Sequence, residues 1–304
     1  MPLVSVVIPT FGRPELVCRA VVGSLAQTLS DIEVIVVVDG VDPPTNAALA
    51  LLKDDRLRVI NHDGKRGAGQ ARDTGADAAT GQWIAFLDDD DEWLPTKLAA
   101  QVAIAPPEPA VIMTLSKVVS STGTFVRPAE IYDNVMPVDE WLFDRRTWLK
   151  GGQSFLQTSS LMFPAALFKL ARFTDTKQHE EWELVIRAVK QHGYRLVTVP
   201  EPLVIYYVPE ARKSLSRTYT WRQSIAWAVG MRSVLTPRAF SGFCLTVVAQ
   251  MAASTGNREA FGPLFTNAAR AGRPTLKQLF AFAFFFVSPE TLRRRIRAGM
   301  QAER

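Results

Sequence analysis

Asp88, Asp89, Asp90, Asp91 and Glu92 stand consecutively after an apolar run, Trp83-Ile84-Ala85-Phe86-Leu87, and Trp93 follows them. Adjacent carboxylates repel one another unless a cation or water screens them, and oxygen donors of this kind suit hard divalent ions such as Mg2+ or Mn2+. A second acidic pair, Glu180-Glu181, stands before Trp182. A carboxylate in a pocket can take a proton as a general base. At the start of a helix it also interacts favourably with the dipole, which needs no catalytic role. An Asp run can likewise be a solvated turn and nothing more. The elements that hold these acids decide between the alternatives.

The run 83–87 has no polar face and suits a strand buried on both sides, as in a parallel sheet, although a buried helix has the same pattern. Its acids then sit at the C-terminal end of the strand, where open α/β sheets bind ligands. The preceding chain has the same layout. Residues 3–8 form a β-branched strand that stops at Pro9-Thr10-Phe11-Gly12-Arg13-Pro14, and a helical pattern follows through Leu16, Ala20, Val21 and Leu25. A second strand, 32–38, ends at Asp39-Gly40, and the turn Asp42-Pro43-Pro44 leads to a helical stretch. The third strand, 57–61, precedes a Gly-rich segment, 64–75, that opens another helix. Strands alternating with helices predict a doubly wound α/β fold with a mostly parallel sheet.

The Gly-rich segment excludes two functions. Gly67-Ala68-Gly69 lacks the third glycine of a dinucleotide fingerprint, and it follows the third strand where the fingerprint follows the first. No phosphate-binding loop of the G-x-x-x-x-G-K-[ST] type occurs. What remains is a flexible loop, a helix N-terminus and Arg72, together suited to a diphosphate.

With 304 residues, 47% hydrophobic and 21% charged, the chain is globular and long enough for one large or two modest domains. Its net charge of +5 suggests an anionic partner surface. Cys18 and Cys244 are too few for a disulfide framework or a zinc site, and a reducing compartment is expected. The N-terminus has no basic region followed by a long apolar stretch, so no secretory leader is expected. The aromatics of the C-terminal region cluster in apolar runs and do not interleave with arginine, so nucleic acid is not an expected partner.

The ordered set of the 9–13 loop, Asp39-Gly40, Gly67 with Ala71-Arg72-Asp73-Thr74-Gly75, and 86–93 with Pro95, Lys97 and Leu98 resembles family 2 glycosyltransferases of the GT-A fold. The resemblance covers residues 3–102 closely and continues more weakly through 158–163 and 179–184 to about Tyr207. It implies an inverting transfer of a sugar from a nucleotide-diphosphate donor, with a UDP-sugar favoured, to a saccharide or lipid-linked saccharide acceptor. Thr10 and Phe11 would line the nucleoside pocket with Arg13 nearby, Asp39 would bind the base, and Arg72 would lie beside the base or diphosphate. Asp88, Asp89 and Asp90 would hold ribose, diphosphate and a divalent cation, Mn2+ or Mg2+, with Asp90 and then Asp88 as its ligands. The family takes its base from the Asp of Glu-Asp-Trp. Glu181 stands at that position here, with Glu180 as its rival. Asp39 follows Val38 where relatives carry a second Asp, and Asp73 replaces a common Asn.

These expectations divide the chain into a catalytic domain, 1–210, and a helical extension, 211–304. The catalytic domain has a nucleotide-sugar half, 1–102, and an acceptor half, 103–210. The acceptor half should contain strands at 110–119, 123–126, 156–163 and 203–207 and a helix at 164–171. Arg212, Lys213, Ser214, Ser216, Arg217 and Arg222 form a basic loop suited to closing over the diphosphate. Trp221, Ile225, Trp227 and Met231 form an apolar helical stripe. The apolar segments 240–253 and 276–287 fall short of the ~20 residues that span a bilayer. Lys277 and the arginines of 293–297 give the second segment the character of an interfacial element on an anionic membrane. A peripheral enzyme at the cytoplasmic face, in polysaccharide or glycolipid assembly, is the resulting expectation. A catalytically silent binding module and a metal-dependent nucleotidyltransferase are the alternatives.

Overall fold

The computed structural model describes residues 1–121, 123–147, 154–174, 178–208 and 220–288. In chain order its elements are β1 (Val4–Thr10), α1 (Pro14–Leu25), β2 (Ile32–Val38), α2 (Pro43–Leu49), β3 (Leu57–Asn61), α3 (Ala68–Ala78), β4 (Trp83–Phe86), β5 (Glu92–Trp93), α4 (Lys97–Ala103), β6 (Ala110–Ser120), β7 (Gly123–Arg127), α5 (Val138–Phe143), β8 (Leu161–Pro164), α6 (Glu180–His192) and β9 (Arg195–Tyr207). Then follow α7 (Trp221–Gly230), α8 (Pro237–Gly242), a π-helical turn (Phe243–Val248), α9 (Ala249–Ser254), α10 (Phe261–Ala271) and α11 (Leu276–Val287).

The chain folds as two compact units, 1–119 with 156–208, and 120–155 with 209–304. Residues 120–155 thus group with the C-terminal region, whereas the sequence pattern assigns them to the acceptor half.

The first unit is built on the sheet order β3-β2-β1-β4-β8-β6-β9-β5. Its β1–β2, β2–β3, β1–β4 and β6–β9 pairings are parallel, while β4–β8, β6–β8 and β5–β9 are antiparallel. Every residue of β1 and β2 is buried, as β-branched runs covered on both faces require. Parallel pairing aligns the C-terminal ends of β1, β2 and β4, so Thr10, Asp39 and the Asp block emerge along one edge.

Three expected elements differ. The strand predicted over 156–163 is reduced to Leu161–Pro164, because Thr158–Ser160 turn into a 3-10 helix. There Ser160 donates both its N–H and its Oγ–H to the Gln157 carbonyl, the local bonding by which serine competes with a strand ladder. The helix predicted over 164–171 is a 3-10 helix, Ala165–Lys169. The strand predicted from 203 begins at Arg195, because the Pro200-Glu201-Pro202 interruption is absorbed by register shifts against Thr114, Leu115 and Ser116.

In the second unit, Phe143 and Trp227 pack on Phe243 with ring centroids 5.0 and 4.9 Å away. Gly242 permits this closeness, since a Cβ there would lie 2.2 Å from the Phe143 carbonyl oxygen. Asp139, fully buried, accepts from the Thr236 N–H at 2.6 Å and fixes the entry to α8. Helix α11 has the bounds expected from its apolar run, with a capping box between Thr275 and Gln278. Among the described residues, no helix is long and apolar enough to cross a membrane.

Candidate active site

The loop after β1 and the acids after β4 are joined by direct bonds. Thr10 Oγ1 donates to Asp89 at 2.7 Å. Arg13 Nη1 donates to Asp89 at 2.8 Å and to Asp90 at 3.2 Å. Burial pushes the Asp89 carboxyl up to about 6 even though Arg13 and Thr10 act in the opposite sense. On the other side Arg19, from α1, donates to the Asp90 carbonyl at 3.0 Å and pairs with Glu92 at 2.9 Å. Tyr207 donates to the same Glu92 carboxylate at 3.1 Å.

The four aspartates separate into two kinds. Asp91 is 1% exposed and accepts from Ser159 Oγ at 2.7 Å and from Gln157 Nε2. Ser159 Oγ in turn accepts the Asp88 N–H at 3.0 Å, and the Ser159 carbonyl accepts Trp93 Nε1–H at 2.8 Å. Burial, with the charges of Asp88 and Asp90, raises the Asp91 pKa well above the usual carboxylate range. Asp89 and Asp91 therefore brace the loop from within. The side chains of Asp88 and Asp90 are 28% and 32% exposed, and theirs are the oxygens a ligand can reach.

Arg72 connects this loop to α6. It is buried on α3 and donates to Asp88 at 2.6 Å and to Glu180 at 3.3 Å. Gly69, one turn earlier, makes room for this bond: a Cβ there would stand 3.0 Å from all three atoms of the Glu180 carboxylate group. Helix α6 opens from His179 at φ 64°, and the His179 ring stacks on Trp182 with centroids 4.7 Å apart. Burial drives the His179 pKa down to about 3, so the ring is neutral at physiological pH. The half-buried Glu181 is pushed up to about 7 by desolvation, with Glu180 and Asp88 adding to the rise and Arg72 opposing it. The phenol of Tyr206 is raised by burial and then by the charges of Asp91, Asp88, Asp90 and Glu181, which marks β9 as a wall of the same cluster.

Asp39 and Phe11 form a second group beside the first. The Asp39 N–H donates to the Thr10 carbonyl at 2.9 Å. Its carboxylate accepts from the N–H groups of Arg66 at 2.8 Å and Gly67 at 2.9 Å, and lies 2.9 Å from His62 Nδ1. Burial alone would raise its pKa, but these donors outweigh it and hold the group below its ordinary value. Lys65 Nζ lies 3.8 Å over the Phe11 ring.

Thr10, Arg13, Asp89 and Asp90 thus form one bonded set and Arg72, Asp88 and Glu180 another; the peptide chain of the Asp block joins them, and Glu181 is coupled to the second set through charge. Arg19, His62, Gln157, Ser159 and Tyr206 are contributors the sequence pattern does not single out. Only Ser159 lies in a motif the pattern quotes, and its hydroxyl is committed to the loop. Among the described residues no three His, Cys, Asp or Glu side chains are grouped to hold a metal by themselves. Arg212, Lys213, Ser214, Ser216 and Arg217 of the expected basic loop and the arginines of 293–297 lie outside the described residues. Arg222 is described and pairs with Glu259 at 3.4 Å in the second unit.

A family model described as "Glycosyl transferase family 2" matches residues 5–171. The succinoglycan biosynthesis protein ExoO of Rhizobium meliloti is 31% identical over 240 residues, which are 71% of this chain and 63% of that protein. An Escherichia coli protein named UDP-Glc:alpha-D-GlcNAc-diphosphoundecaprenol beta-1,3-glucosyltransferase WfaP is 31% identical over 135 residues, 43% of this chain and 54% of that one. The chain therefore spans somewhat more than half the length of these relatives. Among solved structures, mannosyltransferase PcManGT of Pyrobaculum calidifontis, in complex with GDP-Man and Mn2+, superposes with a TM-score of 0.60 at 20% identity, covering 99% of this chain and 84% of that one. At that identity the likeness establishes the fold, which is GT-A.

Proposed function

The chain belongs to glycosyl transferase family 2, and on that premise we propose that it is an inverting, metal-dependent glycosyltransferase. It moves a sugar from a nucleotide-diphosphate donor to a saccharide or lipid-linked saccharide during polysaccharide or glycolipid assembly. The observation that carries this reading is the Arg72 bridge, which ties Asp88 at the donor end of the sheet to Glu180, next to Glu181.

In this mechanism the donor nucleoside lies against Thr10, Phe11 and Asp39, and the diphosphate lies between Asp88, Asp90, Arg13 and Arg72. Asp88 and Asp90 fit a divalent cation. They are reachable oxygen donors, and Mg2+ or Mn2+ commonly takes only one or two carboxylates and completes its shell with phosphate and water. Such a cation, when bound, stabilises the charge that gathers on the departing diphosphate. Glu181 is the base, because a carboxyl near 7 is matched to removing a proton at neutral pH. Glu180 is already committed to Arg72. Glu181 takes the acceptor hydroxyl proton as that oxygen bonds to the anomeric carbon. The bond to the diphosphate oxygen breaks on the opposite face, giving inversion.

The name of the E. coli relative favours a UDP-sugar and a lipid-linked acceptor, and such an acceptor would bring the protein to the cytoplasmic face of a membrane. Calorimetric titration with a panel of nucleoside diphosphates, with and without Mn2+, tests the donor half. UDP is expected to bind with metal to the wild type and not to Asp90→Ala. Absence of binding by every diphosphate under every metal condition would refute the donor site.

A further inference from the structure

The Asp39 carboxylate is held from several sides. Its Oδ1 accepts the Arg66 N–H at 2.8 Å and lies 2.9 Å from His62 Nδ1, and its Oδ2 accepts the Gly67 N–H at 2.9 Å. The Asp39 side chain is 13% exposed and the His62 side chain 3%, so the carboxylate keeps an open edge while the ring beside it is enclosed. At its other nitrogen, Nε2, the ring lies 2.9 Å from Thr74 Oγ1 on α3, and the His62 N–H donates to the Val38 carbonyl at the end of β2 at 2.9 Å. Helix α3 and strand β2 thus fix the ring from two directions.

The direction of each bond follows from the charge. Burial would raise the Asp39 pKa, but the donors around it outweigh burial, so the group is ionised at neutral pH and can only accept. Nδ1 therefore carries a proton, and Nε2 of the neutral ring accepts the Thr74 hydroxyl. An ionised carboxylate offers about four acceptor sites. Among the described residues three donors occupy them, two on Oδ1 and one on Oδ2, which leaves one site, on Oδ2 (4 − 3). The Phe11 ring packs on the same turn, since a Cβ at Gly40 would stand 3.1 Å from Phe11 Cε2. A flat ligand lying on this ring meets a carboxylate with room for a single N–H.

We propose that His62, fixed by Thr74, is a positioning residue that fills Oδ1 of Asp39 and so limits the donor nucleobase to one presenting a single N–H between two carbonyls, as uracil does. The inference rests on the donor site proposed above and adds what selects its base. Guanine sets an N–H beside an amino group and needs an acceptor on each carboxylate oxygen, and Oδ1 is already taken. Cytosine and adenine turn a ring-nitrogen lone pair toward the carboxylate. The wrong bases are thus refused by an acceptor withheld and not by bulk. Removing the Nδ1 donor would reopen Oδ1.

The test is calorimetric titration of the full chain with UDP and with GDP in the presence of Mn2+, on wild type, His62→Leu and His62→Asn. The wild type is expected to bind UDP at least about tenfold more tightly than GDP. His62→Leu should lower that ratio at least about tenfold, whereas His62→Asn, whose amide N–H can stand in for Nδ1–H, should keep it within about threefold. Thermal melts identify a variant that fails to fold, and the wild type then carries a second readout. The chain has three histidines, so the ring nitrogens of His62 can be assigned by NMR, and Nδ1 is expected to be protonated and to shift when UDP binds. Preference for GDP, an unchanged ratio in a folded His62→Leu, an equal loss of the ratio in a folded His62→Asn, or a His62 Nδ1 that is unprotonated or unmoved by UDP would each overturn the proposal and leave the donor site standing. Absence of binding by both diphosphates would overturn the donor site and the proposal together.

Discussion

The acidic cluster of the first unit and the basic cavity of the second, lined by Arg145, Arg146, Arg238, Thr275, Leu276 and Lys277, are both held by arginine–carboxylate pairs, and they differ in what lies beside those pairs. In the first, Arg13 and Arg72 are shared among Asp88, Asp89, Asp90 and Glu180, and Asp91 and Glu181 add further acid. In the second, Asp144 pairs with Arg238 and Glu130 with Arg146. The paired members set the geometry in each case, and in the first the surplus acid decides what is attracted. A surplus of carboxylate calls for a cation and raises the pKa of its most desolvated members. Ion pairs alone would not tell the two places apart.

Removing the surplus acid from the first cluster is the strongest way to break this comparison. Glu181→Gln is expected to cut turnover by about 10²–10⁴-fold, with nucleoside diphosphate binding retained in calorimetry. Loss of binding as well would mean that Glu181 is part of the bracing and not of the surplus. Arg72→Met tests the bracing itself. It removes the cation shared by the buried Glu180 and the part-exposed Asp88, and denaturant melts should register a loss of about 3 kcal/mol.

The pH dependence sharpens the comparison further. The folded-state pKa of Glu181, about 7, stands above its unfolded value near 4.3. Its contribution to stability is therefore complete below the unfolded value and is lost as pH rises through about 7. Turnover, which needs the ionised base, should rise across the upper part of that window. Thermal melts and rates measured over one pH series should move in opposite directions, and Glu181→Gln should flatten the Glu181 share of the stability slope.

The smallest effect concerns Lys97, a fully buried side chain of the acidic unit whose Nζ has no hydrogen-bond partner among the described residues and lies 3.6 Å over the Trp93 ring. Burial lowers its pKa well below the ordinary value, so its presence costs stability at neutral pH and costs less as pH rises toward 10. Lys97→Met should stabilise the protein by on the order of 1 kcal/mol, read as a higher Tm. A lower Tm would mean that the contact with Trp93 outweighs the desolvation.

Much of the first unit is legible in the sequence because its strands are short, fully apolar and punctuated by Gly, Pro and Asp. The periodicity of α6 and the apolar run of α11 are equally direct. The division of labour among the four aspartates is not, because it depends on Ser159 and Gln157, which approach across 66 or more positions of sequence. The full length of β9 is hidden by its two prolines, which a strand tolerates only where its register slips. The basic cavity is illegible for a further reason. Arg145 and Arg238 stand in local contexts that mark nothing, and only folding brings them beside Lys277.

The acidic segment also has a mechanical consequence. It leaves the sheet at β4 and re-enters it at β5, four places along the strand order, with a turn closed by the 3.1 Å bond from the Asp91 N–H to the Asp88 carbonyl. Allowing the turn its maximal width, Phe86 to Glu92 can stretch about 18 Å. Crossing four strands laid flat would take about 19 Å even along a straight line. The segment is a strap with no slack to spare across a flat sheet, and Tyr206 and Tyr207 at the far edge lie beside the acids it carries. Each residue inserted between Leu87 and Asp91 would add about 3.5 Å of slack, and the closeness of acids and tyrosines would relax with it.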